Sequence, residues 1–186
     1  MKPSGSGSNR PPPASAIVSL ILQRSIIELF AAYGVAVAPA RPEDPASHPK
    51  VRPLDHLVGM VQVTAAPSRR GMLTMSTSPA TLTRTRHGGN DMLGQLDWMR
   101  ELTNQFAGRA KAKFSRYGLT LQTGLPMALS SSAMDRNHMI QRTDLILVFT
   151  TLKDQIIATL SGGFDDGGLA LKGDKSVANE GEVILF

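Results

Sequence analysis

Asp97-Trp-Met-Arg-Glu101-Leu-Thr-Asn104-Gln-Phe-Ala-Gly108-Arg-Ala-Lys111 is the stretch around which the rest of the chain can be organised. It reads as the middle of a long helix, Asp91 to about Tyr117, with Asn90 as its cap and Gly118 as its stop. Met92, Leu96, Met99, Thr103, Phe106, Ala110 and Phe114 recur at helical spacing and form the face expected to be buried. Asp97, Glu101, Asn104, Gly108 and Lys111 form the opposite face. Glu101 and Asn104 stand three residues apart, so they are neighbours on the helix surface and can act on one target. Gly108 costs a helix interior about 1 kcal/mol relative to alanine. That cost makes sense where a second surface must come close.

The flanking segments supply the remaining elements. Ser15 is placed to cap a first helix, Ala16 to about Tyr33, with Ile17, Leu20, Ile21, Ile27 and Phe30 on one side and Gly34 at its end. Pro39, Pro42, Pro45, Pro49 and Pro53 mark residues 39–53 as a loop. Leu57–Ala65 and Met72–Thr77 read as strands joined by a turn around Pro67–Gly71. Ser78-Pro79 carries the cap and first-turn proline of a short helix reaching about Arg86. Beyond the long helix, Leu119–Leu129, Thr143–Thr151 and Gln155–Ser161 are strand-like, and the last two form a hairpin. Residues 1–13 are expected to be a disordered arm, 14–163 one domain, and 164–186 a flexible tail with a short strand at most. Strands run between helices without βαβ alternation, so the expected class is α+β: helices on an antiparallel or mixed sheet, not a Rossmann fold.

Composition narrows the chemistry. The 186 residues include no cysteine, which excludes disulfides, thiolate nucleophiles and cysteine-based zinc sites. The net charge of +5 is spread out, the tightest groups being Arg84/Arg86 and Arg109/Lys111/Lys113/Arg116. Without aromatic interleaving this argues against nucleic acid. Ala16–Ala38 is interrupted by Gln23, Arg24 and Glu28, too polar for a membrane span, and Lys2 leads into Pro, Ser and Gly rather than an apolar signal core. A cytoplasmic protein is expected. His48, His56, His87 and His138 form no HExxH and read as surface or loop residues, so no metal site is expected. Ser130-Ser131-Ser132 lacks a G-x-S-x-G context and reads as a polar turn. Gly162-Gly163 and Gly167-Gly168 lack a phosphate-loop pattern, and Asp165-Asp166 reads as part of a loose acidic loop. The helix pair remains.

Asp97-x3-Glu101-x2-Asn104, then Ala107-Gly108-x-Ala110-Lys111 and a downstream Pro126, resembles the signature of the CheC/CheX/FliY phosphatases of bacterial chemotaxis. The order of elements matches from about residue 16 to 163. A single Glu-x-x-Asn in the chain makes CheX the nearer type. The resemblance implies a CheX-like two-layer sandwich and, as substrate, the phospho-aspartate of a CheY-like receiver domain. Glu101 would pair with the receiver's active-site lysine. Asn104 would enter its pocket and orient the attacking water. The receiver would bring its own Mg2+, so no cofactor is expected on this chain. Asp97, Trp98 and Gly108 would meet the partner, and a homodimer through a sheet edge is implied. The chain departs from the pattern in places. Pro126 lies one residue closer to Asn104 than usual, Gln105 and Arg109 stand where Met and Asn are common, and the glycine after the proline is missing. The alternatives are a docking module of the same fold that binds a receiver or other signalling protein without hydrolysis, and a basic surface for nucleic acid or anionic lipid.

Overall fold

The computed structural model describes residues 14–40, 56–65, 69–85, 91–133, 143–152 and 154–164. In chain order the elements are α1 (Ala14–Ala31), β1 (Ala38–Pro39), β2 (Leu57–Ala65), β3 (Arg69–Thr77), α2 (Pro79–Arg84), α3 (Met92–Arg116), β4 (Leu121–Thr123), β5 (Met127–Ser130), a 3-10 turn at Ser131–Ala133, β6 (Thr143–Thr150) and β7 (Gln155–Ser161). The arm 1–13, the proline-rich loop from 41 to 53, Asn90, Asp165-Asp166 and the tail all lie outside the described residues, as do His48, His87 and His138.

All seven strands join one antiparallel sheet in the order β1-β6-β7-β3-β2-β4, with β5 also paired to β2. The class is α+β, as the pattern implies. Period-two alternation assigns the faces. Leu57, Val61, Val63 and Ala65 of β2, Leu73 and Met75 of β3, Ile156, Ala158 and Leu160 of β7 and Phe149 of β6 join α1 and α3 in the main core. The other face carries Val58, Met60, Thr74, Ser76, Ile157 and Thr159, also buried, with the Thr74 and Thr159 hydroxyls bonded across strands at 2.5 Å.

α1 is long and apolar enough, by length and composition, to cross a membrane. In the fold its Val18, Ile21, Leu22, Ile26, Leu29 and Phe30 are buried in the core instead. α3 lies beside α1 and across β2. It runs antiparallel to α1: the Glu28 carboxylate meets the Lys113 ammonium at 2.5 Å, while Tyr33 reaches Gln105.

Several local expectations shift. The cap of α3 is Asp91, whose side chain accepts from the Gly94 N–H at 2.9 Å. Met92 is exposed, because it precedes the part of the helix that meets the sheet, whereas Leu102 and Ala107 join the buried face. Pro39 is a strand residue, paired with Phe149 at the sheet edge, where a missing N–H is tolerated. β3 begins at Arg69, earlier than its apolar run suggests. The 119–129 strand divides in two: Gly124, Leu125 and Pro126 stand opposite only Val61 and Gln62, a bulge that separates β4 from β5. The packed body reaches Phe164, which is buried in the core.

Candidate functional site

α3 is fixed before any of its outer residues is considered. At its ends stand the Asp91 cap and Gly118, the latter at φ +75°, a left-handed turn that favours glycine. Beneath it lies Gly59 of β2. A Cβ there would run into the Thr103 hydroxyl and come within 3.1 Å of the Met99 carbonyl. Glycine therefore lets helix and sheet approach closely at the turn that precedes Asn104. On one flank α3 packs against β4 and β5, so the bulge that holds Pro126 runs alongside it. On the other flank is α1.

Asp97, Glu101, Asn104 and Gly108 are all exposed, at the i, i+4, i+7, i+11 spacing of one helix face. Lys111 is exposed as well. The Asp97 carboxylate pairs with Arg100 one turn on. Glu101 Oε1 accepts a hydrogen bond from the Gln105 amide at 2.9 Å, and Gln105 Oε1 accepts from the Tyr33 hydroxyl at 2.8 Å. The Asn104 carboxamide has no hydrogen-bond partner among the described residues and keeps both donor and acceptor for an incoming group. A Cβ on Gly108 would meet nothing within 4 Å, so packing inside this chain does not call for glycine there.

Trp98 stands at the edge of this face with its indole turned into a junction of α1, α2 and α3. Its ring meets Tyr33 edge-on, centroids 5.4 Å apart at 87°, and its N–H donates to the Thr85 hydroxyl at 2.6 Å.

The outer face of α3 is open to solvent. Two hollows, one of about 550 Å³ lined by Tyr33, Gly34, Val35, Ala36, Thr83, Arg84 and Leu152, and one of about 210 Å³ between Gln23, Pro39 and β6, involve neither Glu101 nor Asn104. A small substrate is normally held in a concavity, so this face suits a macromolecular one. Among the described residues no group of three or more His, Asp and Glu could hold a metal ion.

A second polar cluster sits at the end of the sheet and corrects the reading of the histidines. His56 sits in the loop just before β2 but is buried rather than at the surface: its Nδ1 lies 3.2 Å from the Ser76 hydroxyl and its Nε2 3.7 Å from Asp154 Oδ1. The Asp154 carboxylate also accepts from Ser78, from the Thr81 hydroxyl at 2.8 Å and from the Gln155 N–H at 2.7 Å. Burial is the largest single influence on this carboxyl and pushes its pKa up. The bonds from Ser78, Thr81 and Gln155, with the His56 ring, together outweigh burial and hold it below 3.8. Ser, His and Asp do meet here, but His56 and Ser76 are closed to solvent, so the cluster ties β3, α2 and the β6–β7 turn together. Of the serine run, Ser131 is buried and its N–H donates to the His56 carbonyl at 2.8 Å, which makes that run a structural turn.

Tyr33 and Gln105 reach the site without a sequence signal that joins them. Gln105 lies four residues after Glu101, a spacing at which side-chain bonds form, so half of the link was visible. Its anchor 72 residues away was not.

No family model and no curated protein matches the sequence. Solved structures do match the fold. CheX of Vibrio vulnificus superposes with a TM-score of 0.63 at 14% identity, over 77% of this chain and 97% of that one. A chemotactic CheC-like protein of Shewanella oneidensis gives 0.56 at 18%, over 78% and 95%. CheX in the CheX–CheY–BeF3–Mg2+ complex of Borrelia burgdorferi gives 0.54 at 10%, over 78% and 95%. The chain has the CheX-like fold.

Proposed function

We propose that this chain is a CheX-like phosphatase that hydrolyses the phospho-aspartate of a CheY-like receiver domain in the cytoplasm. The observation that carries the reading is the exposure of Glu101 and Asn104 together on one face of a helix pinned from below and from both sides. A phosphatase for a phosphorylated protein needs such a surface, because the phosphoryl group lies in the partner's pocket and the enzyme must reach in. The complex of a CheX with CheY supports a receiver as the partner class for this fold.

In this reading Glu101 pairs with a receiver cation and sets the docking geometry. The Asn104 carboxamide accepts from a water and donates to a partner group, which places the water in line with phosphorus. The water oxygen bonds to phosphorus, the bond from phosphorus to the aspartyl oxygen breaks, and inorganic phosphate leaves with the carboxylate restored. The receiver brings the Mg2+. Phosphoryl transfer asks chiefly for positioning and charge stabilisation, which an amide and a carboxylate supply without a nucleophile on this chain.

The test is the decay of phosphorylated receivers from the same genome, with and without this protein. Acceleration is expected with one of them. Asn104→Ala should remove about 100-fold of it, the scale of losing one positioned polar group. Glu101→Ala should raise KM more than it lowers kcat. No acceleration by folded wild-type protein across those receivers overturns hydrolysis, and saturable binding without it would identify a docking module.

A further inference from the structure

We infer that Gln105 and Tyr33 are positioning residues that hold the Glu101 carboxylate ready for its partner, an inference that rests on the functional reading above. The polarity of the chain of bonds follows from the chemistry of its members. An ionised carboxylate only accepts, so Gln105 must turn its NH2 toward Glu101. Its carbonyl oxygen then faces Tyr33, whose hydroxyl must donate. No other arrangement of the amide satisfies both bonds.

The far end of the chain is stiff. The Tyr33 ring is set edge-on against Trp98 at 5.4 Å, and the Trp98 indole is bonded to Thr85. Tyr33 also sits immediately before Gly34, whose φ of +73° turns the backbone at the end of α1. An exposed glutamate would otherwise sample several rotamers, and docking would have to freeze them. Held in advance, it loses less freedom when a cation arrives. The chain ends on Glu101 and does not reach Asn104, so its effect belongs to docking rather than to the water-positioning step.

That distinction gives the experiment. Tyr33→Phe keeps the ring against Trp98 and removes only the hydroxyl, while Gln105→Leu removes the relay itself. Each is expected to raise KM for the phosphorylated receiver about threefold, as loss of a partly exposed hydrogen-bonded contact does, with kcat and melting temperature unchanged. The double variant should match Gln105→Leu alone, because the hydroxyl acts only through the amide. In the free protein, the Gln105 side-chain amide resonances should shift in Tyr33→Phe and in Glu101→Gln. Unaltered amide resonances, additive effects, or a fall in kcat at constant KM would overturn the positioning role of Tyr33 and Gln105. Active wild-type protein with unaltered KM in both variants overturns the positioning role alone. Wild-type protein that neither hydrolyses nor binds any receiver overturns the functional reading and the positioning role with it, whatever the amide spectra show.

Discussion

Gly59 and Gly108 are the same residue in opposite circumstances. Gly108 lies in open solvent inside a helix, where a methyl group meets nothing within 4 Å. Gly108→Ala should stabilise the protein by about 1 kcal/mol and raise its melting temperature by about 2–4 °C, read by thermal circular dichroism. If the glycine leaves room for a partner backbone, the same variant should bind the receiver more weakly while melting higher. Gly59 lies under α3, and its Cβ would strike the Thr103 side chain and press on the Met99 carbonyl. Gly59→Ala should destabilise by about 1–3 kcal/mol, the usual scale of overpacking. A Gly59→Ala protein as stable as the wild type in urea would show that α3 does not sit this tightly on β2.

At the scale of elements, α2 is held through Asp154. α2 spans only Pro79–Arg84, and an isolated helix that short does not persist in water. Its N-cap serine and Thr81 both donate to a carboxylate on the β6–β7 turn, so α2 and the hairpin stabilise each other. The pH dependence follows from the sign of the shift. The folded carboxyl titrates below its ordinary value of 3.8. Its contribution is therefore fully present above that value and is lost as pH falls through the lower folded pKa. Urea unfolding should show stability falling below about pH 4, and Asp154→Asn should flatten that part of the profile while lowering stability at neutral pH. A profile of the same slope in the variant would move the acid sensitivity elsewhere.

For the whole molecule, the sheet order places β7, β3 and β2 inside and β1 and β4 at the rims. β1 pairs through two residues and β4 through three, so both should open locally. Native-state hydrogen exchange should find the slowest amides in β3 and β7 and in the stretch of α3 over β2, with β1 and β4 exchanging orders of magnitude faster. Slow exchange in β4 equal to that in β3 would contradict this topology. Rigidity under Glu101 and Asn104 with mobility at the rims is the distribution that a positioning surface requires.

How much of this was legible in the sequence depends on how local each signal is. The outer face of α3 could be read because helical spacing alone puts Asp97, Glu101, Asn104 and Gly108 on one side, and the structure leaves all four exposed. The Ser78-Pro79 start of α2, the β6–β7 hairpin and the left-handed Gly34 and Gly118 were legible for the same reason: each depends on a few adjacent residues. The burial of His56, the close approach over Gly59 and the link from Tyr33 to Gln105 join segments far apart in the chain. No local pattern encodes these, since they exist only when β2, α1, α2 and the hairpin pack around α3. Periodicity and composition are properties of the chain, so they announce which side chains a helix presents and that cysteine chemistry is excluded. Contact across the core is a property of the packing, so how firmly those side chains are held emerges only once the elements have come together.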